Sequence, residues 1–379
     1  MLYSQHPSPT NSSMYMKALI SFLAAMLLLN PVAKPQGCIA IRNLTGFGQF
    51  ATLGYGQTDA KWFMNIDTRY FKANRAYTGT SSKDDGIALG SSTVNFTLSR
   101  ILEKGWLVSL DVPIAYNTAS VPFPTGRHTL STFGISDIRF TVYKWLMNTT
   151  ETRRWNLQTG MGLKLPTGNY KAQDYVYPNP TDPNFKVLGT LQPSSQLGDG
   201  GTGITTELNG YYVLGGKVTA YGNLFYMFSP VDQNGVSNGA HTAAQIQATY
   251  DVNSVPDAYT MRLGANTTFN HLVWSLGFRH EGTPGHDVFG ASHGLRRAGY
   301  IYSVETGLSY KMKTGFVYAF YTRPFAQGTV QSDPDKVYST LSDPGDPNNN
   351  ISAHAAGDKF TSAGHFNNGM IFFGYAFMF

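Results

Sequence analysis

Trp106-Leu-Val-Ser-Leu-Asp-Val-Pro-Ile-Ala-Tyr116 is the stretch that decides the fold class. Trp106, Val108, Leu110, Val112, Ile114 and Tyr116 form one apolar row, and Ser109 and Asp111 fall on the opposite side. A β-strand imposes that period of two on its faces. The same alternation recurs to either side. Trp62, Met64, Ile66, Thr68 and Tyr70 interleave with Asn65, Asp67 and Arg69; Val94, Phe96 and Leu98 oppose Asn95, Thr97 and Ser99; Trp155, Leu157, Met161, Leu163 and Leu165 oppose Asn156, Gln158 and Lys164. These runs are about 10 to 14 residues long, where ordinary globular strands have about 5 to 6 and a tilted strand crossing a bilayer needs about 9 to 11.

The connections sort by length. Short ones fall at Glu103-Lys104, Gly215-Gly216, Asn270-His271, Lys311 to Thr314 and Asn148 to Thr152. Long Pro/Gly/Asn-rich ones alternate with them, at 73–91, 117–131, 166–199, 229–257, 282–298 and 326–364. Short turns on one edge and long loops on the other are the habit of outer-membrane barrels, whose periplasmic turns are short and extracellular loops long. The expected fold is therefore all-β, a transmembrane antiparallel up-and-down barrel. About twelve strands are expected, at 60–72, 91–102, 105–116, 132–146, 153–165, 200–214, 217–228, 258–269, 271–281, 299–311, 315–325 and 366–379. Ala243 to Val252 also alternates. It is placed as an extension above the membrane, with about fourteen strands as the alternative.

Composition agrees. The chain has 379 residues, 13% charged and 14% aromatic, with 40 Gly and one Cys. One Cys excludes a disulfide scaffold, few charges with many aromatics exclude disorder, and a net charge of +5 without a basic cluster gives no footprint for nucleic acid. The only long apolar run, Ala18 to Leu29, follows Lys17 near the N-terminus and reads as a secretory signal. Residues 1–37 are thus expected to be a signal region, the signal itself starting at Met14 or Met16, residues 38–57 a short periplasmic segment or small lumen gate, and residues 58–379 the barrel. Lipidation of Cys38 is the competing reading of that boundary.

The chain ends in Gly374-Tyr375-Ala376-Phe377-Met378-Phe379, with Ile371, Phe373, Tyr375, Phe377 and Phe379 on one face. This resembles the terminal strand of proteins folded by the outer-membrane assembly machinery, and Gly374, Tyr375, Phe377 and Phe379 are the residues that carry the likeness. Gly160-Met-Gly-Leu-Lys-Leu-Pro-Thr-Gly-Asn-Tyr170 resembles the strand-to-loop signature of the transporter family named for the meta-cleavage pathway of phenol degradation, over the middle and C-terminal two-thirds of the chain. That resemblance implies a barrel passing small, often hydrophobic molecules, distantly similar to fatty-acid and toluene channels.

Charges inside such strands must face the lumen, because Arg or Lys on the lipid face costs about 2–4 kcal/mol at mid-bilayer. Asp67, Arg69, Asp111, Asp137, Arg139, Lys164, Glu207, Arg262, Arg279 and Glu305 are the expected lumen and selectivity residues, lining a wet pore or pairing into a plug. The loop from Pro166 to Asp199 is long enough to fold inward. Gly198, Gly200 and Gly203 spell G-x-G-x-x-G but follow a loop and precede a strand, so they read as loop glycines. Gly290-Ala-Ser292-His293-Gly294 matches G-x-S-x-G without a following helix. The expected function is a passive outer-membrane channel for a small, hydrophobic or aromatic molecule, without cofactor or metal, with lipid and the assembly machinery as partners. The alternatives are a hydrolase at the extracellular rim using Ser292, His280, His286 or His293, and a structural or adhesive barrel.

Overall fold

The computed structural model describes residues 60–147, 154–177, 182, 184–237, 239, 241–347 and 351–379. The signal region, Cys38, the 38–57 segment and the whole of the Asn148 to Thr152 turn lie outside the described residues. Twelve antiparallel strands close into one barrel. They are β1 (Trp62–Ala73), β2 (Ala88–Ile101), β3 (Trp106–Phe123), β4 in two parts (Gly126–Ile135 and Arg139–Trp145), β5 (Trp155–Lys164) and β6 (Gly203–Gly215). The second half is β7 (Val218–Phe228), β8 (Ala258–Phe269), β9 (Leu272–Thr283), β10 (Gly299–Lys311), β11 (Gly315–Thr329) and β12 (Met370–Met378). Each pairs with its sequence neighbours, and β1 closes on β12 with Asp67 opposite Gly374.

Parity behaves as the alternation requires. Along β12, Met370, Phe372 and Ala376 are buried inside while Ile371 and Phe373 are exposed outside. Leu110, Phe133, Met161, Leu224, Leu276 and Val304 continue that exposed apolar belt around the wall. A patch of this extent on a folded surface marks contact with lipid. Its lower edge carries Trp62 and Trp106, under the Arg100 guanidinium (4.8 Å) and the Lys144 ammonium (5.3 Å), aromatic and basic groups of the kind that settle at an interface.

The wall is not of even height. β5 ends at Lys164, level with Arg139 and Asp111, while β3 and the first part of β4 continue above as a hairpin turning at Pro124-Thr125. The expected loop 117–131 is therefore mostly strand; its Thr, Ser and Val residues suit a pleated surface whatever their polarity. On the low side, the long loops fold over the barrel and make a core of their own. Ala243–Gln247 is a helix (α1) and not a strand, because Thr242 and Gln245 form a capping box that starts a turn. A second box, Ser332 with Asp335, starts α2 (Asp333–Tyr338). Tyr250, Tyr338 and Phe360 pack together, and the fully buried Asp335 accepts from Tyr250 Oη (2.5 Å) and Ser362 Oγ (2.6 Å).

Candidate functional site

The ten expected lumen charges all sit on the inner side of the wall or at its kink, nine of them buried and Arg139 nearly so. Most are paired. Arg139 bridges two carboxylates, Asp111 Oδ2 at 2.9 Å and Glu207 Oε1 at 2.5 Å. Arg262 holds Glu305 at 2.7 Å. Arg279 holds Glu281 at 2.5 Å, two residues along the same face; Glu281 was missed as a lumen residue, though its shared parity with Arg279 was the signal. Asp67 accepts from Asn65 Nδ2 at 2.7 Å, and Arg69 Nη2 reaches Thr93 Oγ1 at 3.4 Å. Charges buried this deeply persist only with such partners.

Three tyrosines brace the same face, and composition gave no hint of them. Tyr143 on β4 donates to Glu207 on β6 at 3.0 Å, Tyr221 on β7 to Glu305 on β10 at 3.0 Å, and Tyr318 on β11 to Asn65 on β1 at 2.9 Å. Each ring crosses over glycine, Tyr143 and Tyr318 past one intervening strand and Tyr221 past two, over Gly264 and Gly277. A Cβ on Gly160 would lie 2.6 Å from the Tyr143 ring, on Gly277 2.5 Å from Tyr221 Oη, and on Gly374 2.4 Å from Tyr318 Cζ. The rings lie flat on the wall because those positions lack side chains.

Above this level, the loop after β5 turns inward at a kink in β4. Asp137, at the kink, accepts from the Gly168 amide (2.9 Å) and from Lys164 Nζ (3.4 Å), and Lys164 also pairs with Asp199 at the far end of the loop. Ser136 Oγ and Thr132 Oγ1 donate to the Leu197 and Ser195 carbonyls, both at 2.6 Å. A Cβ on Gly198 would lie 2.4 Å from Asp137 Oδ1 and one on Gly201 2.3 Å from Val255. The G-x-G-x-x-G string is thus a strap threaded between wall and neighbouring loop, and its glycines serve close backbone approach.

The strap roofs a cavity of about 180 Å³. Arg69, Asp111, Arg139 and Lys164 line its floor, Pro193, Ser194 and Asp199 belong to the strap, and Asp257, Arg296 and Arg297 come from the neighbouring loops. Phe71, Phe225 and Met227 add apolar wall. Arg296, 2% exposed, donates from Nη1 to Asp287 Oδ1 and from Nη2 to Ser254 Oγ, each at 2.8 Å.

The histidines do not converge. His280 faces outward, its Nε2 3.0 Å from Tyr259 Oη in the upper aromatic belt. His293 Nδ1 pairs with Asp232 at 2.8 Å. His286 Nδ1 lies 3.3 Å from Ser292 Oγ, but the same nitrogen faces Asp333. A serine nucleophile needs one imidazole nitrogen for its own proton and the other for the carboxylate. Ser292 is also wholly buried and accepts from the Asp287 amide (2.8 Å); it stabilises a tight turn at φ 59°. Among the described residues, no group of His, Cys, Asp or Glu is placed to hold a metal ion.

No family model matches the chain, and no curated protein matches it. Among solved structures, an outer-membrane channel from Pseudomonas putida F1 aligns with a TM-score of 0.55 at 11% identity, over 84% of this chain and 96% of that one. A FadL homologue from Pseudomonas aeruginosa (TM-score 0.38, 10% identity, 84% and 90% covered) and the monoaromatic hydrocarbon channel CymD (0.36, 9%, 89% and 94%) align less closely. The chain has the fold of an outer-membrane β-barrel, and its solved neighbours include channels and porins.

Proposed function

We propose that this protein is a passive channel of the bacterial outer membrane for a small, hydrophobic or aromatic molecule. The observation that carries the reading is the roofed cavity inside the barrel, with aromatic and aliphatic side chains beside charges that are already paired. Such a lining can pass a mostly apolar solute without leaving an ion bare, and sorts solutes by size and polarity. Asp111, Asp137, Arg139 and Lys164 are then selectivity residues at the constriction, and Arg262, Glu305, Arg279 and Glu207 brace the bore beneath it. Export by the N-terminal signal, lipid around the apolar belt, and insertion by the assembly machinery reading Gly374, Tyr375, Phe377 and Phe379 belong to the same proposal. Single-channel recording of the folded protein in a planar bilayer tests it. Discrete steps that scale with salt are expected; silence from a correctly folded sample overturns the open-pore form of the proposal.

A further inference from the structure

We propose that the short-turn edge of the barrel is a binding surface for anionic phospholipid of the periplasmic leaflet, an inference that rests on the membrane setting proposed above and not on passage through the bore. The distribution of charge starts the argument. Among the described residues, eight basic side chains lie on this edge against one acidic side chain, Glu103. Lys61, Arg100, Lys104, Lys144 and Arg154 share the arc from β1 to β5, and Lys217, Lys311 and Lys313 sit at the turns after β6 and β10. Lys61, Lys104 and Arg154 are exposed, and Arg100 and Lys144 are half-buried. Among the described residues, no carboxylate forms an ion pair with any of the eight. The long loops of the opposite edge carry more acidic than basic side chains, so the positive excess of the described barrel is gathered where the turns are short.

Tryptophan follows the same edge. All five of the chain lie there, at the starts of β1, β3, β5 and β9 and the end of β4. Trp62, Trp106, Trp155 and Trp274 face outward, and Trp145 is buried inside. Indole rings settle at the level of the headgroups, so this edge is where acyl chains give way to phosphates. The cations are held at that level. Arg100 lies over the ring of its cross-strand partner Trp62 at 4.8 Å, and Lys144 over that of its partner Trp106 at 5.3 Å. Above them on the outward face, Leu98, Leu110 and Phe140 form one cross-strand row, 39–44% exposed. A molecule that meets Arg100 and Lys144 while covering that row needs a phosphate joined to hydrocarbon, which a phospholipid has and a soluble acidic protein lacks. A net anionic headgroup is selected over a zwitterionic one, because the latter brings its own cation to an edge already rich in them.

Tryptophan quenching of the folded protein in phosphatidylcholine vesicles tests this, with either phosphatidylglycerol or phosphatidylcholine as the brominated lipid, since the outward tryptophans report lipid at this edge. Stronger quenching by the brominated phosphatidylglycerol is expected, with a relative affinity at least about fivefold higher, the effect of one basic residue at an anionic surface. The preference falls toward parity at high salt, because exposed charges are screened. Arg100→Gln/Lys104→Gln/Lys144→Gln removes it, and the charge-conserving Arg100→Lys/Lys104→Arg/Lys144→Arg keeps it. Lys171→Gln/Lys186→Gln also keeps it, although these loop cations lie over aromatic rings too, Tyr170 at 5.2 Å and Tyr175 at 4.3 Å. A preference that survives the triple glutamine variant, or one erased by free glycerol phosphate, overturns the inference. Equal quenching by the two lipids overturns it as well and leaves the membrane setting standing, whereas quenching by neither removes both.

Discussion

Gly160→Ala adds one methyl to the inner wall and tests whether the flat tyrosines hold the barrel. The new Cβ would lie 2.6 Å from Cδ1 and Cε1 of Tyr143 and 3.3 Å from the Glu207 Cβ. The ring is 2% exposed and anchored by its hydroxyl to Glu207 at 3.0 Å, so it cannot swing aside and keep that bond. Overpacking costs about 1–3 kcal/mol and a hydrogen bond to a charged group about 1.5–3 kcal/mol, a combined loss of about 2.5–6 kcal/mol. Glu207 keeps Arg139, so the carboxylate is not stranded and the upper end of that range is the ceiling. The assay is denaturant unfolding in micelles read by tryptophan fluorescence, run as a double-mutant cycle with Tyr143→Ala. With the ring gone, the methyl at 160 has space, and Gly160→Ala becomes neutral or stabilises by about 0.5–1 kcal/mol as alanine replaces glycine within a strand. A coupling energy of at least about 2 kcal/mol is the expected result. Additive effects would refute the brace and make Gly160 an ordinary strand glycine.

Three further outcomes follow from the same geometry. Lys164→Gln leaves Asp137 and Asp199 without their ammonium, so reversal potentials in a salt gradient shift toward cation selectivity; unchanged selectivity with normal conductance contradicts a role for this group at the constriction. Arg262→Gln strands the Glu305 carboxylate, 2% exposed, and costs about 3–5 kcal/mol, whereas replacing both by leucine is far milder; denaturant midpoints compare the two. Burial holds the His365 imidazole below its ordinary value, with Asp85 opposing and Arg297 assisting, so the unfolded chain binds the proton more readily. The stability from this site is complete above about pH 6.5 and falls as pH drops below that, so proteolysis of the loop carrying His365 accelerates on acidification and the dependence flattens in His365→Gln.

The barrel was legible because its two signals, alternation and sorted loops, are local. Trp106 to Tyr116 shows its lipid face directly, and the lumen charges follow from it by parity. Legibility stopped where residues meet across the bore or above it. Asp199, Asp257 and Arg296 reach the cavity from loops whose composition says only that they are loops. The strap that carries Asp199 is placed by Gly168, Gly198 and Gly201, and the loop that carries Arg296 packs on Ser254 at Gly294; these glycines matter through what approaches them. The 243–252 stretch lies outside the twelve-stranded wall, as expected, but as a helix: Ile246, Ala248 and Tyr250 satisfy a period of two by chance while the Thr242–Gln245 capping box begins a helical turn. Parity alone also said nothing of which charges pair, since Arg139 reaches Glu207 across the whole width of β5.

Gly374 joins the fold to the proposed function. The proposed function makes it a position in an assembly signal, and the lumen gives an independent physical reason for it, because Tyr318 lies over it to reach Asn65. The outward residues Tyr375, Phe377 and Phe379 stack in series, with ring centroids 5.3 and 5.6 Å apart; they face lipid and leave the bore untouched. Any substitution at 374 therefore acts on the inner brace, and substitutions at 375, 377 and 379 act on the outer face, so the two roles separate by parity along one strand. A barrel of this strand number has an interior wider than the filled eight-stranded case, and it can be stiffened by side chains across the bore or by side chains lying along the wall. Tyr143, Tyr221 and Tyr318 take the second course. Their bulk stays against the strands, and the glycines beneath them keep that part of the wall thin, which leaves the lumen room that the proposed channel function requires.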